Sequence, residues 1–220
     1  MKLDIATPIC KVCFQQITEE TFASFLHNDP PICPRCFRHF NPRIENVKLS
    51  NGVSGITCYD YNEDIKTLLF NFKACFDYEL KDVFFYYQAG YFKRKYRKFI
   101  LVPAPSFKTK DDERGFNHVV AMFSSFGLPI VKAIEKTSDV KQADLTRDER
   151  QEVGRYLNWV SGTDVRGKNV LFVDDVLTTG STAVACTNLI KSNGAKRVEF
   201  LIMSHTKNHD VLNQKAPLKR

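Results

Sequence analysis

The stretch VLFVDDVLTTGST, from Val170 to Thr182, decides how this chain is read. It begins as an apolar run of the kind that is buried on both faces of a parallel sheet. The run ends in adjacent carboxylates, Asp174 and Asp175, and a loop of hydroxyl residues around Gly180 follows. Ser181 to Asn193 then has the spacing of a helix, with Gly194 as its stop. Open α/β sheets bind ligands just beyond the carboxyl ends of their strands. Backbone N–H groups at a helix start have no intrahelical partner, and the helix dipole favours an anion there. Gly180 lets the backbone approach a ligand closely, and Thr178, Thr179, Ser181 and Thr182 add hydroxyl donors. That half of the stretch is a phosphate cradle. Asp174 and Asp175 repel phosphate, but they can accept hydrogen bonds from sugar hydroxyls or face a magnesium ion. A ligand with ribose hydroxyls and a 5′-phosphate fits both halves.

Other strand-end motifs fit less well. A receiver domain also ends a strand in acidic residues, but its phospho-acceptor lies several elements later, and only 45 residues follow Asp175. The Walker GxxxxGK[ST] and Rossmann GxGxxG patterns are absent. Two adjacent carboxylates exceed what a helix cap requires.

The surrounding sequence alternates strands and helices. FILVPAPS (Phe99 to Ser106) reads as a buried strand running into a proline-rich turn, and RVEFLIM (Arg197 to Met203) as another strand. ITCYDY (Ile56 to Tyr61) alternates as a strand does, and Asp64 to Phe76 is apolar at 65, 68, 69, 72 and 76, a helical period with Asn62 or Asp64 as its cap. Phe116 to Phe126 is expected to be helical. This order predicts a parallel α/β sheet flanked by helices. The segment SNGVSG reads as a turn or hinge, which places a module boundary near residue 50. The expected organisation is residues 1–50 as one module, 51–205 as the α/β domain and 206–220 as a polar, mobile tail.

Four of the seven cysteines fall in the first 36 residues, as Cys10-x-x-Cys13 and Cys33-x-x-Cys36. The 19 residues between the inner pair suit a four-cysteine zinc site. Each CxxC turn can aim two thiolates at one ion, and four thiolates leave no open position, so the expected Zn²⁺ is structural. It would supply folding energy that so short a segment cannot draw from a core. His39 could replace a cysteine, although four thiolates suffice. Cys58, Cys75 and Cys186 read as buried small hydrophobes, and an odd cysteine count argues against a disulfide framework.

The net charge is +7, a bias toward polyanionic partners. Lys93, Arg94, Lys95, Arg97 and Lys98 are interleaved with Tyr91, Phe92, Tyr96 and Phe99. Two readings stand. One is a solvated helix face. The other is a single-stranded nucleic-acid groove in which basic residues take phosphates and rings stack on bases. Asp111, Asp112 and Glu113 add local negative charge that weakens the second. No apolar run reaches the ~18 residues of a membrane span, and the N-terminus lacks an apolar signal core, so a cytoplasmic protein is expected.

The Val170–Thr182 stretch closely resembles the PRPP-binding motif of type I phosphoribosyltransferases. The resemblance implies that Asp174 and Asp175 hold the ribose 2′- and 3′-hydroxyls. It also implies that Thr178, Thr179, Gly180, Ser181 and Thr182 wrap the 5′-phosphate, with Mg²⁺ accompanying PRPP. VPAPS resembles the family's pyrophosphate loop, which assigns Pro103, Ala104, Pro105 and Ser106 to it. DDERGFNH (Asp111 to His118) resembles part of the mobile loop over the site, with Arg114 as a pyrophosphate contact.

The cysteine module, YDYNEDIKTLLFNFK, VPAPS, ERGFN, KQADLTRDER and FVDDVLTTGST, in that order, resemble the ComF family up to about residue 205. This implies a type I phosphoribosyltransferase-like parallel sheet with an N-terminal zinc module. It also implies a role in natural transformation: import or handling of single-stranded DNA in the cytoplasm, at the inner face of the membrane, beside a ComFA-like helicase. Active phosphoribosyl transfer to a base or amine is one alternative reading. A zinc-dependent adaptor for the helicase is another. His118 stands where the family has glutamine, VPAP replaces VPVP, and RQEVGRY lacks the usual asparagine. Gln142 and Arg150 match family positions, as ligand contacts or as structural residues.

Overall fold

The structure, a computed structural model, describes residues 7–18, 29–137 and 156–206. Strand β6 (Asn169–Leu177) is an interior strand of a five-stranded sheet. It pairs in parallel with β3 (Phe99–Pro103) on one side and with β7 (Arg197–His205) on the other. β7 pairs in parallel with β2 (Ser54–Asp60), and β1 (Pro42–Lys48) adds an antiparallel edge, for the order β1-β2-β7-β6-β3. The short strands β4 (Ile134–Lys136) and β5 (Leu157–Trp159) form a separate antiparallel pair.

The apolar run of β6 is continuous because both of its faces are covered. Leu171 and Val173, with Leu201 and Met203 of β7, face one core. Val170 and Phe172, with Phe200 and Ile202, face the other. Helix α6 (Ser181–Ser192) covers the second side through Ala183, Cys186 and Ile190. The first side is covered by α2 (Glu63–Lys73), α3 (Ala89–Lys95) and α5 (His118–Phe123), with Phe72, Phe92 and Phe123 fully buried. Gly55 is a packing requirement: a Cβ there would lie 2.3 Å from the Phe200 ring.

Helix α2 starts as expected, with the Asn62 side chain accepting from Ile65 N at 2.9 Å, and buries Ile65, Leu68, Leu69 and Phe72. It stops at Lys73, short of the expected Phe76, which has a φ of 60°. Cys58 and Cys186 are buried as expected, but Cys75, just past the helix end, is exposed. Of the two readings of SNGVSG the turn holds: residues 49–53 form the hairpin turn joining β1 to β2, Ser54 and Gly55 open β2, and β1 belongs to the main sheet. Asn51 ties that turn to α6, donating to Thr187 Oγ1 at 2.9 Å and Asn188 Oδ1 at 2.8 Å. The segment expected to be part of a mobile loop is instead helix α4 (Lys108–Arg114), a Gly115 turn at φ 80°, and the start of α5.

The cysteine module packs onto the helical side of the sheet. Cys10, Ile17, Ile32, Cys36 and Phe40 share one buried cluster with Phe72, Leu80 and Phe85. Tyr87 Oη donates to Ile32 O at 3.3 Å, and Lys11 pairs with Glu79 at 2.6 Å. Helix α1 (Pro34–His39) starts at Cys33, with Pro34 in its first turn. Gln142, Arg150 and the tail after Thr206 lie outside the described residues, as does RQEVGRY apart from Tyr156.

Candidate functional site

Two loops leave the carboxyl edge of the sheet side by side. Pro103 is in register with Val173, and Ala104 N donates to Val173 O at 2.8 Å. The VPAPS turn and the Asp174–Asp175 pair are therefore neighbours. The strand fixes both carboxyls locally: Asp175 N donates to Asp174 Oδ1 and Val176 N to Asp175 Oδ1, each at 2.8 Å. Ser204 Oγ of β7 donates to Asp175 O at 3.2 Å.

The chain then turns through Thr178 and Thr179, both exposed, to Gly180 at φ 79°, a left-handed conformation that disfavours any side chain. Gly180 occupies the cap position of α6 and brings no side chain to accept from the helix's first turn. Thr179 Oγ1 and Ser181 Oγ are 2.9 Å apart. Thr178 to Thr182 thus present hydroxyls and helix-start N–H groups together, as a phosphate requires.

The residues of the VPAPS turn are also anchored. Ser106 Oγ donates to Asp111 Oδ2 at 2.5 Å. Asn117 Nδ2 donates to Ser106 Oγ at 2.7 Å and to Asp111 Oδ2 at 2.8 Å. Asn117 also caps α5, accepting from Val120 N. Arg114 lies within this framework, its side chain only 9% exposed. It donates from Nε to Lys73 O at 2.9 Å, and its NH1 reaches Asp111 Oδ1 at 3.4 Å and His118 Nδ1 at 3.3 Å.

Sequence reasoning missed three groups here. Lys73 Nζ, from the end of α2, is ion-paired with Asp175 Oδ2. His118 Nε2 lies 3.4 Å from the same oxygen. Lys136, from β4, has its Nζ 4.6 Å above the ring of Phe107, the residue after Ser106, and acts electrostatically on Asp174. Only His118 left a trace, as a departure from the family's glutamine. Lys73 is the last residue of YDYNEDIKTLLFNFK, where nothing marks it as a site residue, and Lys136 lies in none of the motifs above.

Burial pushes the Asp174 carboxyl up to about 7, while Lys73 and Lys136 pull it down. Burial lowers Lys73 to about 8, against the pull of Asp174 and with the help of Arg114 and Lys110. Burial also lowers Lys136, again opposed by Asp174. His118 is held far below its ordinary value by burial and then by Lys73, Arg114 and Lys136, so it is neutral at pH 7. The site therefore combines hard oxygen donors, two partly desolvated ammoniums and a neutral imidazole. Asp174 is an oxygen donor suited to a hard cation such as Mg²⁺.

The four N-terminal cysteines converge as expected, with their ligand atoms all within 4.8 Å of one another and Cys13 Sγ 3.9 Å from Cys33 Sγ. Tetrahedral zinc with Zn–S of about 2.3 Å needs sulfurs roughly 3.8 Å apart, so the set fits. Cys33 N donates to Cys10 Sγ at 3.3 Å and Cys36 N to Cys33 Sγ at 3.4 Å. Burial would raise Cys10, but the N–H groups of Cys33, Cys13 and Val12 outweigh it and bring the thiol to about 7. Burial raises Cys33 and Cys36. Among the described residues, His39 is not part of the cluster.

The basic cluster is only half as expected. Lys93, Arg94, Lys95, Arg97 and Lys98 are all exposed. Phe92, Tyr96 and Phe99 are buried, so these rings serve the core and cannot stack on bases; Tyr91 alone of the four is exposed. The cluster leads into the start of β3, at the amino edge of the sheet and opposite the loops above. Exposed Lys168, at the start of β6, and Lys196 and Arg197, at the start of β7, lie along the same edge. No helix among the described residues is long and apolar enough to cross a membrane.

Residues 115–220 match the phosphoribosyl transferase domain family. The chain is 26% identical over 195 residues to the competence protein ComFC of Streptococcus pneumoniae, covering 86% of this chain and 83% of that one. It is 29% identical over 126 residues to ComFC of Bacillus subtilis, covering 56% and 52%. A ribose-phosphate pyrophosphokinase of Pyrococcus abyssi is 45% identical over 42 residues, 19% of this chain and 14% of that one. Among solved structures, a hypoxanthine phosphoribosyltransferase from Staphylococcus aureus aligns at 15% identity over 71% of this chain and 70% of its own, with a TM-score of 0.37. The chain has a ComFC-like, type I phosphoribosyltransferase fold.

Proposed function

We propose that this ComFC-like chain binds PRPP, accompanied by Mg²⁺, at the carboxyl edge of its sheet and serves competence by handling incoming single-stranded DNA. The observation that carries the binding site is one juxtaposition. Asp174 and Asp175 end β6, Thr178 to Thr182 open α6, and Pro103 to Ser106 leave the adjacent strand beside them. The two carboxylates take the ribose hydroxyls, the α6 start takes the 5′-phosphate, and the VPAPS backbone faces the diphosphate. Arg114 acts from behind that loop, through Asp111 and Ser106. The Cys10, Cys13, Cys33 and Cys36 module holds a structural zinc.

The competence role draws on the similarity to ComFC proteins over most of the chain. In this reading DNA phosphates meet the exposed Lys93, Arg94, Lys95, Arg97 and Lys98, and a ComFA-like helicase at the inner membrane face is the partner. Calorimetric titration of PRPP with Mg²⁺ tests the site. Saturable binding to the wild type that is lost in Asp174→Asn, Asp175→Asn is the expected result. Absence of binding to folded, zinc-loaded wild type would remove the site from the reading.

A further inference from the structure

Asp175 is already occupied. Lys73 Nζ is ion-paired with Asp175 Oδ2, one of the oxygens a sugar hydroxyl would use. The backbone of Lys73 is pinned, because its carbonyl accepts from Arg114 Nε at 2.9 Å and Arg114 is held in turn by Asp111. Its side chain is not sealed in: it is 31% exposed, against 10% for Asp175. The ammonium can therefore leave the carboxylate while the helix end stays in place.

Displacement has a cost. An ammonium that gives up its carboxylate in a partly dry site needs another counter-charge. Lys110, Arg114, Lys136 and neutral His118 surround this end of the site and offer none; Asp174 attracts Lys73 but in the PRPP reading is given to the sugar, and Asp111 is engaged by Ser106, Asn117 and Arg114. A 5′-phosphate on the α6 start places its charge beyond the other end of the acidic pair. The contacts Lys73–Arg114–Asp111–Ser106 put Lys73 on the side of the VPAPS loop. An anionic group on the sugar facing that loop would be the counter-charge Lys73 needs.

Building on the PRPP reading, we propose that Lys73 makes the site selective for 5-phosphorylated ribose carrying a second anionic group, a diphosphate, at C1. It guards Asp175 in the ligand-free protein and transfers to the diphosphate when one is present. Ribose 5-phosphate must displace Lys73 with nothing in return. Lys73 is thus a specificity-determining residue, distinct from the carboxylates that hold the sugar.

The test is calorimetric titration of PRPP with Mg²⁺, and separately of ribose 5-phosphate, into wild type, Lys73→Gln and Lys73→Arg. Wild type should prefer PRPP by tenfold or more. Lys73→Gln should lose about tenfold for PRPP while ribose 5-phosphate affinity stays or rises, collapsing the ratio; Lys73→Arg should keep it. Equal losses for both ligands in Lys73→Gln, or an unchanged ratio, would overturn the inference and leave the PRPP site standing. Failure of wild type to bind PRPP would overturn the site itself. A wild-type measurement covers the case of a Lys73→Gln that does not fold. Saturating magnesium pyrophosphate should tighten ribose 5-phosphate binding several-fold, and absence of that coupling contradicts the inference.

Discussion

His118 Nε2 lies 3.4 Å from Asp175 Oδ2, and its other ring nitrogen, Nδ1, lies 3.3 Å from Arg114 NH1. An arginine can only donate, so Nδ1 is the acceptor and the neutral ring carries its proton on Nε2, on the side of the carboxylate. A second proton on the ring would face Arg114 and is opposed by burial and by Lys73.

A pH dependence of stability follows. The folded His118 pKa is lowered, so below about pH 6.5 the unfolded chain takes up a proton that the folded chain does not. Stability from this group is complete above that pH and is lost on acidification, by up to about 1.4 kcal/mol per pH unit. Asp174 acts in the opposite direction, since its raised pKa lets the folded state hold a proton the unfolded state has shed. Comparison with His118→Gln isolates the histidine. Urea unfolding at pH 7, 6 and 5 should show a shallower acid loss in the variant, and parallel curves would contradict the neutral, Nε2-protonated ring.

Ligand binding should have its own pH profile. Asp174 titrates near 7 and Lys73 near 8 in the ligand-free site. A sugar with Mg²⁺ favours the ionised carboxylate, and a diphosphate favours the charged ammonium. PRPP affinity should fall as pH drops below about 7 and again as it rises above about 8. Titrations from pH 6 to 9 that show no decline on either side would contradict these roles.

Zinc removal should destabilise the whole domain rather than only its N-terminus. Cys10 and Cys36 belong to the same buried cluster as Phe72, Leu80 and Phe85. Wild type should contain one zinc ion per chain. Cys13→Ser or chelation should lower the single thermal transition of the whole protein, and an unchanged midpoint in metal-free protein would rule out a structural site.

The basic edge separates charge from packing. Phe92 is fully buried, so Phe92→Ala should cost about 3–5 kcal/mol of stability. Lys93→Ala, Arg94→Ala, Lys95→Ala together should leave stability nearly unchanged while weakening single-stranded DNA binding. Wild-type affinity should fall by about 10³-fold between 50 and 200 mM salt if some six phosphates are contacted. Equal DNA affinity in the triple variant would move the DNA contact elsewhere.

What was legible in the sequence was local and periodic. The apolar run of β6 with its Asp-Asp ending announced an interior strand and its carboxyl end, because burial on both faces leaves an unbroken hydrophobic signature. The two CxxC turns announced the four-cysteine cluster, because ligand geometry fixes the spacing. The rest depended on distant contacts. SNGVSG looks the same as a linker or as a hairpin turn until β1 has a partner. Phe92, Tyr96 and Phe99 read equally well as a stacking platform or as the inner face of a helix–strand junction. Lys73 reaches Asp175 across about a hundred residues of sequence, and no motif records that meeting.

The most direct test of the central claim is a crystal structure of the zinc-loaded protein with PRPP and Mg²⁺. The account predicts the 5′-phosphate against the backbone N–H groups and hydroxyls of Thr178 to Thr182. It also predicts the ribose hydroxyls on Asp174 and Asp175, and Lys73 withdrawn from Asp175 toward the diphosphate. A ligand seated on the basic edge at Lys93 to Lys98, with the β6 edge bearing only solvent, would contradict it.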